Sequence, residues 1–271
     1  MSRVIAILSG DGKLPILLQK ELPNAVLVVF DGVPHQLGKT PDIKAKFEYL
    51  GALFDNLKKR GVTCVLMAGA MSRPQLNTAD FDPFVRSIAS ELDAMISKGD
   101  DQLLRFVIGL FHEQGFKIVS ALDVLPHCSA DPGHIVLGWN DRYVSDLKKA
   151  DHILSVLSKA DVAQAVVVEG GMVLGIETLQ GTDALLGFVA QTHKKLRHGT
   201  QKGILVKRSK SGQDLRVDIP SIGPKTVEEA AWAGLAGIVI SPKTVLMLER
   251  DKLIARAKEL GIFIYAAEPT V

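Results

Sequence analysis

Two aspartates stand close together in the stretch SGQDLRVDIPSIGP, residues 211–224, where they could do chemistry. Asp214 and Asp218 flank a short run of β-type residues, 215–217, and the two prolines and the glycine within 220–224 then restrict the backbone. Asp218 is therefore predicted at the end of a strand, ahead of a rigid turn. A carboxylate held there could bind Mg²⁺ or orient a water. Plain turn chemistry would explain the same residues.

A glycine-rich loop follows the first predicted strand, 4–8. Gly10 and Gly12 permit close backbone approach, and Pro15 suits the first turn of a helix, whose N-terminus offers N–H donors to a phosphate. A dinucleotide fingerprint would need a third glycine, and Pro15 takes that position, although Asp31 supplies the acidic residue. The loop therefore predicts either a phosphate site or a tight turn.

The second half of the chain offers a hydroxyl and an amine beside a predicted helix. Gly181 follows an apolar run, Thr182 is a predicted N-cap, and Asp183 would lie at the positive end of the helix dipole. Lys207 closes the apolar strand 204–206 and could meet a phosphate as a point charge. A simple cap and a solvated lysine are the alternative interpretations, and the residues alone leave both open.

Two neighbouring segments carry related signals. Glu177 lies inside an apolar run ahead of Gly181, so its carboxylate is expected to be paired, exposed or functional. Thr226 and Glu229 fit a capping box with Pro224 just ahead, which predicts a helix start after the Asp218 segment. Ligand sites of α/β proteins cluster at such edges between strands and helices.

The elements that would position these residues alternate between short strands and helices. A mostly parallel sheet covered on both faces is the arrangement that this alternation favours. In the first half, buried strands are predicted at 4–8, 25–30, 64–70 and 116–121, with amphipathic helices at 43–61 and 101–115.

The pattern changes at 126–143, which is rich in Pro, Gly, Asp and Asn and has no period. This stretch is predicted to connect two domains. Beyond it, two apolar runs surround Gly170 and Gly171 within 165–177, which predicts a β-hairpin. Further β-type runs at 203–209, 215–219, 236–241 and 261–266 give the second half a mixed α/β character.

Composition limits the classes of function. Lys plus Arg is 32 and Asp plus Glu is 30, so the net charge of +2 argues against a general nucleic-acid binder. The two cysteines, Cys64 and Cys128, have no metal-ligand spacing and fit a reducing cytoplasm. No apolar run approaches the roughly 20 residues that span a bilayer. We therefore expect a soluble or peripheral protein.

Taken together, the motifs resemble those of the UDP-2,3-diacylglucosamine pyrophosphatases of lipid A biosynthesis, of the type unrelated to metallophosphatases. The matching segments run almost from end to end, and the last of them is long and unusual, which makes the resemblance specific. They are 10–15 (GDGKLP), 68–74 (AGAMSRP), 98–101 (KGDD), 164–168 (QAVVV), 180–186 (QGTDALL) and 207–223, which ends in QDLRVDIPSIG. The segment holding His127, Cys128 and His134 departs from the family pattern.

The resemblance implies an α/β protein of two domains with the lipid nucleotide in a cleft between them. An N-terminal Rossmann-like domain with a parallel sheet would span 1–128, a linker 129–145, and a C-terminal mixed α/β catalytic domain 146–271. It also implies Mg²⁺-dependent hydrolysis of UDP-2,3-diacylglucosamine to UMP and 2,3-diacylglucosamine 1-phosphate (lipid X), by water attack on the β-phosphate.

The family's essential aspartate falls on Asp218, which is the expected catalytic residue and metal ligand. Contact with the inner-membrane surface from the cytoplasmic side is expected, nucleic acid is not, and a homodimer is considered. The expected substrate-binding residues are Gly10, Gly12, Leu14, Ser72, Arg73, Gly181, Thr182, Asp183, Lys207 and Gln213.

Two other functions are weighed against this one. A nicotinamide-dependent oxidoreductase would use Gly10, Gly12 and Asp31, but it leaves the carboxylate segment around Asp218 without a role. A non-catalytic nucleotide-sugar-binding module would bind UDP-sugars without turning them over.

Overall fold

The computed structural model of the chain describes residues 3–71, 75–192, 194–197 and 201–270, apart from the side chains of residues 100 and 194. The chain folds into two compact units. The first comprises Met1–Pro126 together with Asp214–Asp218, and the second comprises His127–Gln213 and Ile219–Val271. The segment that carries Asp218 therefore belongs to the first unit, although residues of the second unit flank it in sequence.

The first unit is built on a parallel sheet with strand order β3-β2-β1-β4-β5. This order is the one that starts a Rossmann fold, in which the direction of winding reverses beside the first strand. Its elements are β1 (Ile5–Ser9), α1 (Leu14–Glu21), β2 (Val26–Phe30), β3 (Ile43–Ala45), α2 (Leu50–Lys59), β4 (Cys64–Ala68), α3 (Pro83–Ile96), α4 (Asp100–Glu113), β5 (Lys117–Ile118) and α5 (Ala121–Val124).

The second unit is built on a six-stranded mixed sheet, whose order is β6-β13-β11-β9-β7-β8. Its elements are β6 (Gly133–Val136), α6 (Val144–Ser158), β7 (Ala165–Glu169), β8 (Met172–Ile176), α7 (Gly181–Ala190), β9 (Ile204–Lys207), β10 (Ser221–Ile222), α8 (Pro224–Trp232), β11 (Gly237–Ile240), β12 (Leu246–Met247), α9 (Arg250–Leu260) and β13 (Phe263–Ala266). Strands β9, β11 and β13 are parallel, whereas β6, β7 and β8 pair antiparallel with their neighbours, and β10 pairs with β12 in a separate ribbon.

Successive apolar side chains of β9 point to opposite faces of the sheet, and both faces are buried. Leu205 packs in a core with residues of α7, α8 and α9, whereas Ile204 and Val206 pack in a second core with residues of α6. The second unit therefore has three layers, with the sheet between its helices.

The predicted fold class is confirmed, since a parallel sheet and a mixed sheet lie in separate α/β units. The hairpin at Gly170 and Gly171 is also present, and both glycines have the positive φ, 54° and 79°, that such a turn requires. The range 129–145, predicted as a linker, contains β6 and the start of α6. The cleft between the domains stays a prediction.

Two predicted elements are wrong. Residues 43–45 form the edge strand β3 rather than the start of a helix, because their backbone pairs with β2 and α2 begins only at Leu50. Residues 215–217 form a turn rather than a strand, since the amides of Val217 and Asp218 both donate to the Asp214 carbonyl, each at 3.1 Å.

Candidate active site

Three polar side chains, two of them buried, form a cluster where strands of the second unit end. Lys207 ends β9, Glu177 follows β8, and Thr182 lies in the first turn of α7. The Lys207 Nζ donates to the Thr182 hydroxyl oxygen at 2.6 Å, and the Thr182 hydroxyl donates to Glu177. The Lys207 Nζ is also 3.9 Å from the Glu177 carboxylate. We call these three residues the Lys207 cluster.

Burial makes the pairing within the Lys207 cluster necessary. Lys207 and Glu177 are only 8% and 9% exposed, and an isolated buried charge would be strongly destabilising. The main chain fixes Glu177 further, because its second carboxylate oxygen accepts from the Gln164 amide at 3.2 Å and its own amide donates to the Ala165 carbonyl. The cluster therefore holds one cation in a defined position at the carboxyl end of β9.

Thr182 was predicted as the N-cap of α7, and this prediction is wrong. Gln180 occupies the cap position without a side-chain cap bond, and Gly181 begins the helix with a φ of +82°. The Thr182 hydroxyl lies one residue further into the helix and bonds to Glu177 instead. Its bond goes to a buried side chain rather than to the helix backbone, so its position depends on tertiary structure.

A second cation lies beside the same helix start. Lys225, in the first turn of α8, makes an ion pair of 2.6 Å with Asp183 of α7, and both side chains are largely exposed. The hydrogen bond from Lys225 to Asp183 raises the pKa of the lysine. Sequence reasoning did not single out Lys225.

The predicted capping box is also incorrect, since Thr226 lies inside α8 and its hydroxyl accepts from the Gly223 amide at 3.1 Å.

The residue after Lys207 fixes the end of β9 from the other side of the sheet. Arg208 is 4% exposed, and its Nε is 2.8 Å from an Asp151 carboxylate oxygen. The other Asp151 oxygen accepts from the amide and the hydroxyl of Thr270, each at 2.9 Å. This buried pair was not predicted from the sequence. Its signal there is one charged residue on the buried face of helix α6, Asp151, and one directly after the apolar strand β9, Arg208. The pair fixes β9 next to Lys207.

Asp218 follows a tight turn that an ion pair stabilises. The Asp214 carboxylate accepts from the Arg216 amide at 3.0 Å and from the Arg216 guanidinium at 2.6 Å. The hydrogen bond from the Arg216 guanidinium lowers the pKa of Asp214. The Ser120 hydroxyl donates to the Leu215 carbonyl at 2.9 Å, which ties the turn to the first unit. Asp218 itself is half-buried.

Gln213 closes the turn just ahead of this segment. The side-chain oxygen of Gln213 accepts from the backbone amide of Lys210 at 2.8 Å, and the backbone amide of Gln213 donates to the Lys210 carbonyl at 3.2 Å. A role of Gln213 in substrate binding stays a prediction, as does the role of Asp218.

The glycine-rich loop of the first unit is joined to the loop after β4. The Gly10 amide donates to the Ala68 carbonyl at 2.8 Å, and Asp11 and Ala70 exchange two backbone hydrogen bonds of 2.9 Å. A Cβ at Gly10 would lie 2.4 Å from the Ala70 oxygen, and one at Gly69 would lie 2.6 Å from the Asp11 oxygen. Both glycines are therefore required by close backbone approach.

Four other residues of these two loops were expected to bind substrate, and the structure describes two of them. Gly12 has a φ of +102°, and its amide donates to the Asp11 carboxylate at 2.7 Å. Leu14 begins α1 directly after the loop. Ser72 and Arg73 lie outside the described residues.

The residues on which the oxidoreductase hypothesis depends make contacts of their own in the structure. Asp31 is 3.8 Å from Lys46, and both side chains are more than half exposed. Gly10 is accounted for by its contact with Ala70. The oxidoreductase hypothesis stays an alternative that these contacts do not test.

The carboxylates, histidines and cysteines of the described residues form no group of three that could hold a metal ion. Mg²⁺ commonly binds through one or two carboxylates together with phosphate oxygens of the substrate. Asp214 is held by Arg216, whereas Asp218 is half-buried directly after the turn. A single carboxylate at Asp218 fits the substrate-assisted mode of Mg²⁺ binding.

Within the described ranges, no helix is both long and apolar enough to cross a membrane.

Comparison with known proteins agrees with the resemblance. The model of the LpxI N-terminal domain matches residues 4–128, and the model of the LpxI C-terminal domain matches residues 137–265. The chain is 31% identical over 275 residues to the UDP-2,3-diacylglucosamine pyrophosphatase LpxI of Caulobacter vibrioides, with 98% of each chain covered. The two matched regions cover most of the chain, and the similarity to this relative extends across both units. The chain belongs to the LpxI family.

Proposed function

We propose that this protein hydrolyses UDP-2,3-diacylglucosamine to UMP and 2,3-diacylglucosamine 1-phosphate in lipid A biosynthesis. The observation that carries the proposal is the similarity to the pyrophosphatase of Caulobacter vibrioides, which covers 98% of each chain. The Lys207 cluster supports it, because a diphosphate substrate needs a fixed cation.

Lys207 would stabilise the charge that develops on a phosphate oxygen. An ammonium carries three N–H donors, so Lys207 can keep its bond to Thr182 while it donates to the substrate. The fixed position matters because a preorganised donor needs no rearrangement when the transition state forms. Glu177 would keep the buried amine charged and correctly oriented.

Asp218 would act on the attacking water or on a bound metal ion. The turn at 214–218 fixes its main chain through two hydrogen bonds to Asp214. Mg²⁺, when bound, supplies positive charge to the diphosphate oxygens. Asp218 would hold it together with the substrate's own phosphates, since no group of three potential ligands occurs among the described residues.

Water attack on the β-phosphate is the step that the family resemblance implies. The bond between that phosphorus and the bridging oxygen breaks, UMP leaves with the bridging oxygen, and the oxygen of water remains on the lipid phosphate. Lys207 would donate to an oxygen that gains charge as UMP leaves.

A peripheral position at the inner membrane follows from the proposed substrate, whose acyl chains lie in a bilayer. The cytoplasmic location and a homodimer remain expectations of the same kind. A nucleotide-sugar-binding module remains the competing function, and it differs in one respect, since it would bind the substrate without turnover.

The experiment is to incubate purified protein with UDP-2,3-diacylglucosamine and Mg²⁺ in mixed detergent micelles and to separate the products. We expect UMP and the lipid monophosphate in equal amounts. Binding of the substrate without either product would support the binding module instead. A Lys207→Met variant serves as the matched control, because contaminating hydrolase activity would be unaffected by it.

A further inference from the structure

A cavity opens at the end of the second unit's sheet where its parallel strands begin. Its volume is about 290 Å³, and its lining includes residues just before β9 and β11 and at the start of β13. Lys207 lies at the other end of β9, and three steps of about 3.3 Å separate the ends of this strand by roughly 10 Å. The cavity is therefore distinct from the Lys207 cluster. We call it the Arg142 cavity.

Two basic side chains from separate segments line the Arg142 cavity. Arg142, just before α6, and Lys202, just before β9, are both exposed. Within the described ranges neither forms an ion pair with a carboxylate. Asp141 and Glu259, the acidic residues nearest in sequence to the lining, do not belong to it, and Glu259 pairs with Arg256 at 2.7 Å. The described lining of the cavity therefore carries two positive charges and no negative one.

An aromatic base holds Arg142 in position. Its guanidinium carbon lies 4.8 Å from the centre of the Tyr143 ring, and one Nη donates to the Tyr143 hydroxyl at 2.8 Å. Tyr143 is only 1% exposed, and its ring centre is 5.0 Å from that of Phe263. A guanidinium has five N–H donors, so Arg142 can keep its bond to Tyr143 while it donates to a ligand.

The segments of the two cations are also joined to each other. The side-chain amide of Gln201, the residue before Lys202, donates to the Arg142 carbonyl at 3.1 Å. Gln201 itself lines the cavity between them. The two basic residues therefore belong to one fixed part of the surface, although they are about 60 residues apart in sequence.

We propose that the Arg142 cavity binds a phosphate group, either as the free ion or on a small phosphorylated molecule. A planar guanidinium and an ammonium are the donors that phosphate sites commonly use. Two positive charges match a phosphate dianion better than a carboxylate, which carries one charge. The volume is at the lower end of the range for ligand cavities, which suits a small ligand. The site goes beyond the proposed function, since it shares no residue with the Lys207 cluster or with Asp218.

The fluorescence of Trp139 tests binding without any turnover. Its ring centre lies 5.8 Å from that of Tyr143 and 5.9 Å from that of Phe263, so it reports on the cavity. The chain has two tryptophans, and Trp232→Phe leaves Trp139 as the only one. In this background, potassium phosphate should change the emission of Trp139 in a saturable way. Potassium chloride and potassium acetate at equal ionic strength should not.

Four variants in the same background locate the site. Arg142→Met and Lys202→Met should each weaken phosphate affinity by about tenfold or more, the usual loss when one charge-assisted hydrogen bond is removed. Lys252→Met is the matched control for charge, because the Lys252 side chain is 76% exposed on α9. Lys207→Met is the control for the proposed active site. Both controls should bind phosphate like the parent protein.

UMP, titrated in the same way, distinguishes the source of the phosphate group. A response to UMP alone would assign the cavity to nucleoside monophosphates, and a response to inorganic phosphate alone would assign it to the free ion. Calorimetric titration of the unmodified chain, compared with its Arg142→Met and Lys202→Met variants, gives the same affinities without relying on Trp139.

A Trp139 response to phosphate and UMP no larger than that to chloride, with no heat of binding that depends on Arg142 and Lys202, would overturn the proposal. So would equal affinities of the parent protein, Arg142→Met and Lys202→Met. Loss of the response in Lys207→Met would also overturn it, since phosphate would then be bound at the Lys207 cluster. Failure of the proposed function is distinguishable, because the protein would then bind phosphate as described but release no UMP from UDP-2,3-diacylglucosamine.

Discussion

The ammonium of Lys207 lies 2.6 Å from the hydroxyl oxygen of Thr182, which in turn donates to the buried carboxylate of Glu177. Side-chain hydrogen bonds therefore join the end of β9 to the start of α7 and to the residue after β8. This relationship places a buried cation where the parallel strands of the second unit end, which is where ligands of α/β sheets commonly bind.

Replacing Lys207 by Met should reduce kcat by about 10²–10³-fold, the usual effect of removing one preorganised donor to a developing charge. Thr182→Val should have a smaller effect, about tenfold, because the amine remains but loses its positioning partner. Steady-state kinetics in detergent micelles measures both.

Lys252→Met is the control for these two variants, since the Lys252 side chain is 76% exposed on α9 and pairs with Glu249, the residue before that helix. It should keep wild-type kinetics. If Lys207→Met and Lys252→Met showed the same kcat, the Lys207 cluster would be structural and the diphosphate would have to be bound elsewhere.

Replacing Asp218 by Ala should abolish turnover and leave substrate binding largely intact, because a carboxylate that acts on water or metal matters more in the transition state than in the ground state. Titration calorimetry gives the affinity, and product release gives the rate. Asp55→Ala, an exposed carboxylate on α2 of the same unit, is the control. A variant that kept about a tenth of the wild-type rate, a loss of only about 1.4 kcal/mol, would remove Asp218 from the chemistry.

Activity should require a hard divalent cation, with Mg²⁺ restoring the rate after treatment with EDTA. The described residues offer no His or Cys cluster that suits zinc, whereas a carboxylate together with substrate phosphates suits Mg²⁺. Full activity in the continued presence of EDTA would contradict this expectation. Rescue by Zn²⁺ but not by Mg²⁺ would indicate a different set of ligands.

The Asp214–Arg216 pair should stabilise the protein at neutral pH and cease to do so in acid. Its hydrogen bond lowers the pKa of Asp214 in the folded state, so the stabilisation is present above the unfolded pKa of about 4 and is lost as the pH falls through the lower folded value. Asp214→Asn should lower the free energy of unfolding at pH 7 by about 0.5 kcal/mol, the size typical of a solvent-screened pair. Urea denaturation of both proteins should give a difference that shrinks steadily below about pH 4. A constant difference across that range would exclude this titration as the cause.

Replacing Gly10 by Ala should destabilise the first unit by about 2 kcal/mol, because the new Cβ would meet the Ala70 oxygen at 2.4 Å and strain the joined loops. Gly109→Ala is a suitable comparison, since Gly109 lies within α4 and a Cβ there would have nothing within 4 Å. That variant should be neutral or slightly more stable. Equal stability of the two variants would mean that the loops relax freely.

The strands that are buried on both faces could be predicted from sequence, because continuous apolar runs such as 26–30 and 204–206 leave few alternatives. The hairpin at Gly170 and Gly171 was predictable for a similar reason, since two adjacent glycines with positive φ suit its turn. The glycines of 10–15 were recognised as important, but sequence alone could not show that Gly10 packs against Ala70.

The parts that escaped prediction depend on contacts between distant segments. Thr182 looks like a cap from its local sequence, yet Glu177 and Lys207 compete successfully for its hydroxyl. Residues 215–217 have β-type side chains, but the Asp214–Arg216 pair closes them into a turn with no partner strand. Hydrophobic patterns report burial, whereas such polar contacts are fixed only once the chain has folded.

The most direct test of the proposed reaction is hydrolysis in ¹⁸O-labelled water with mass spectrometry of both products. Attack on the β-phosphate predicts one labelled oxygen in 2,3-diacylglucosamine 1-phosphate and unlabelled UMP. Label in UMP with an unlabelled lipid phosphate would place the attack on the other phosphorus and contradict the roles given to Asp218 and Lys207. Absence of both products would contradict the proposed function itself.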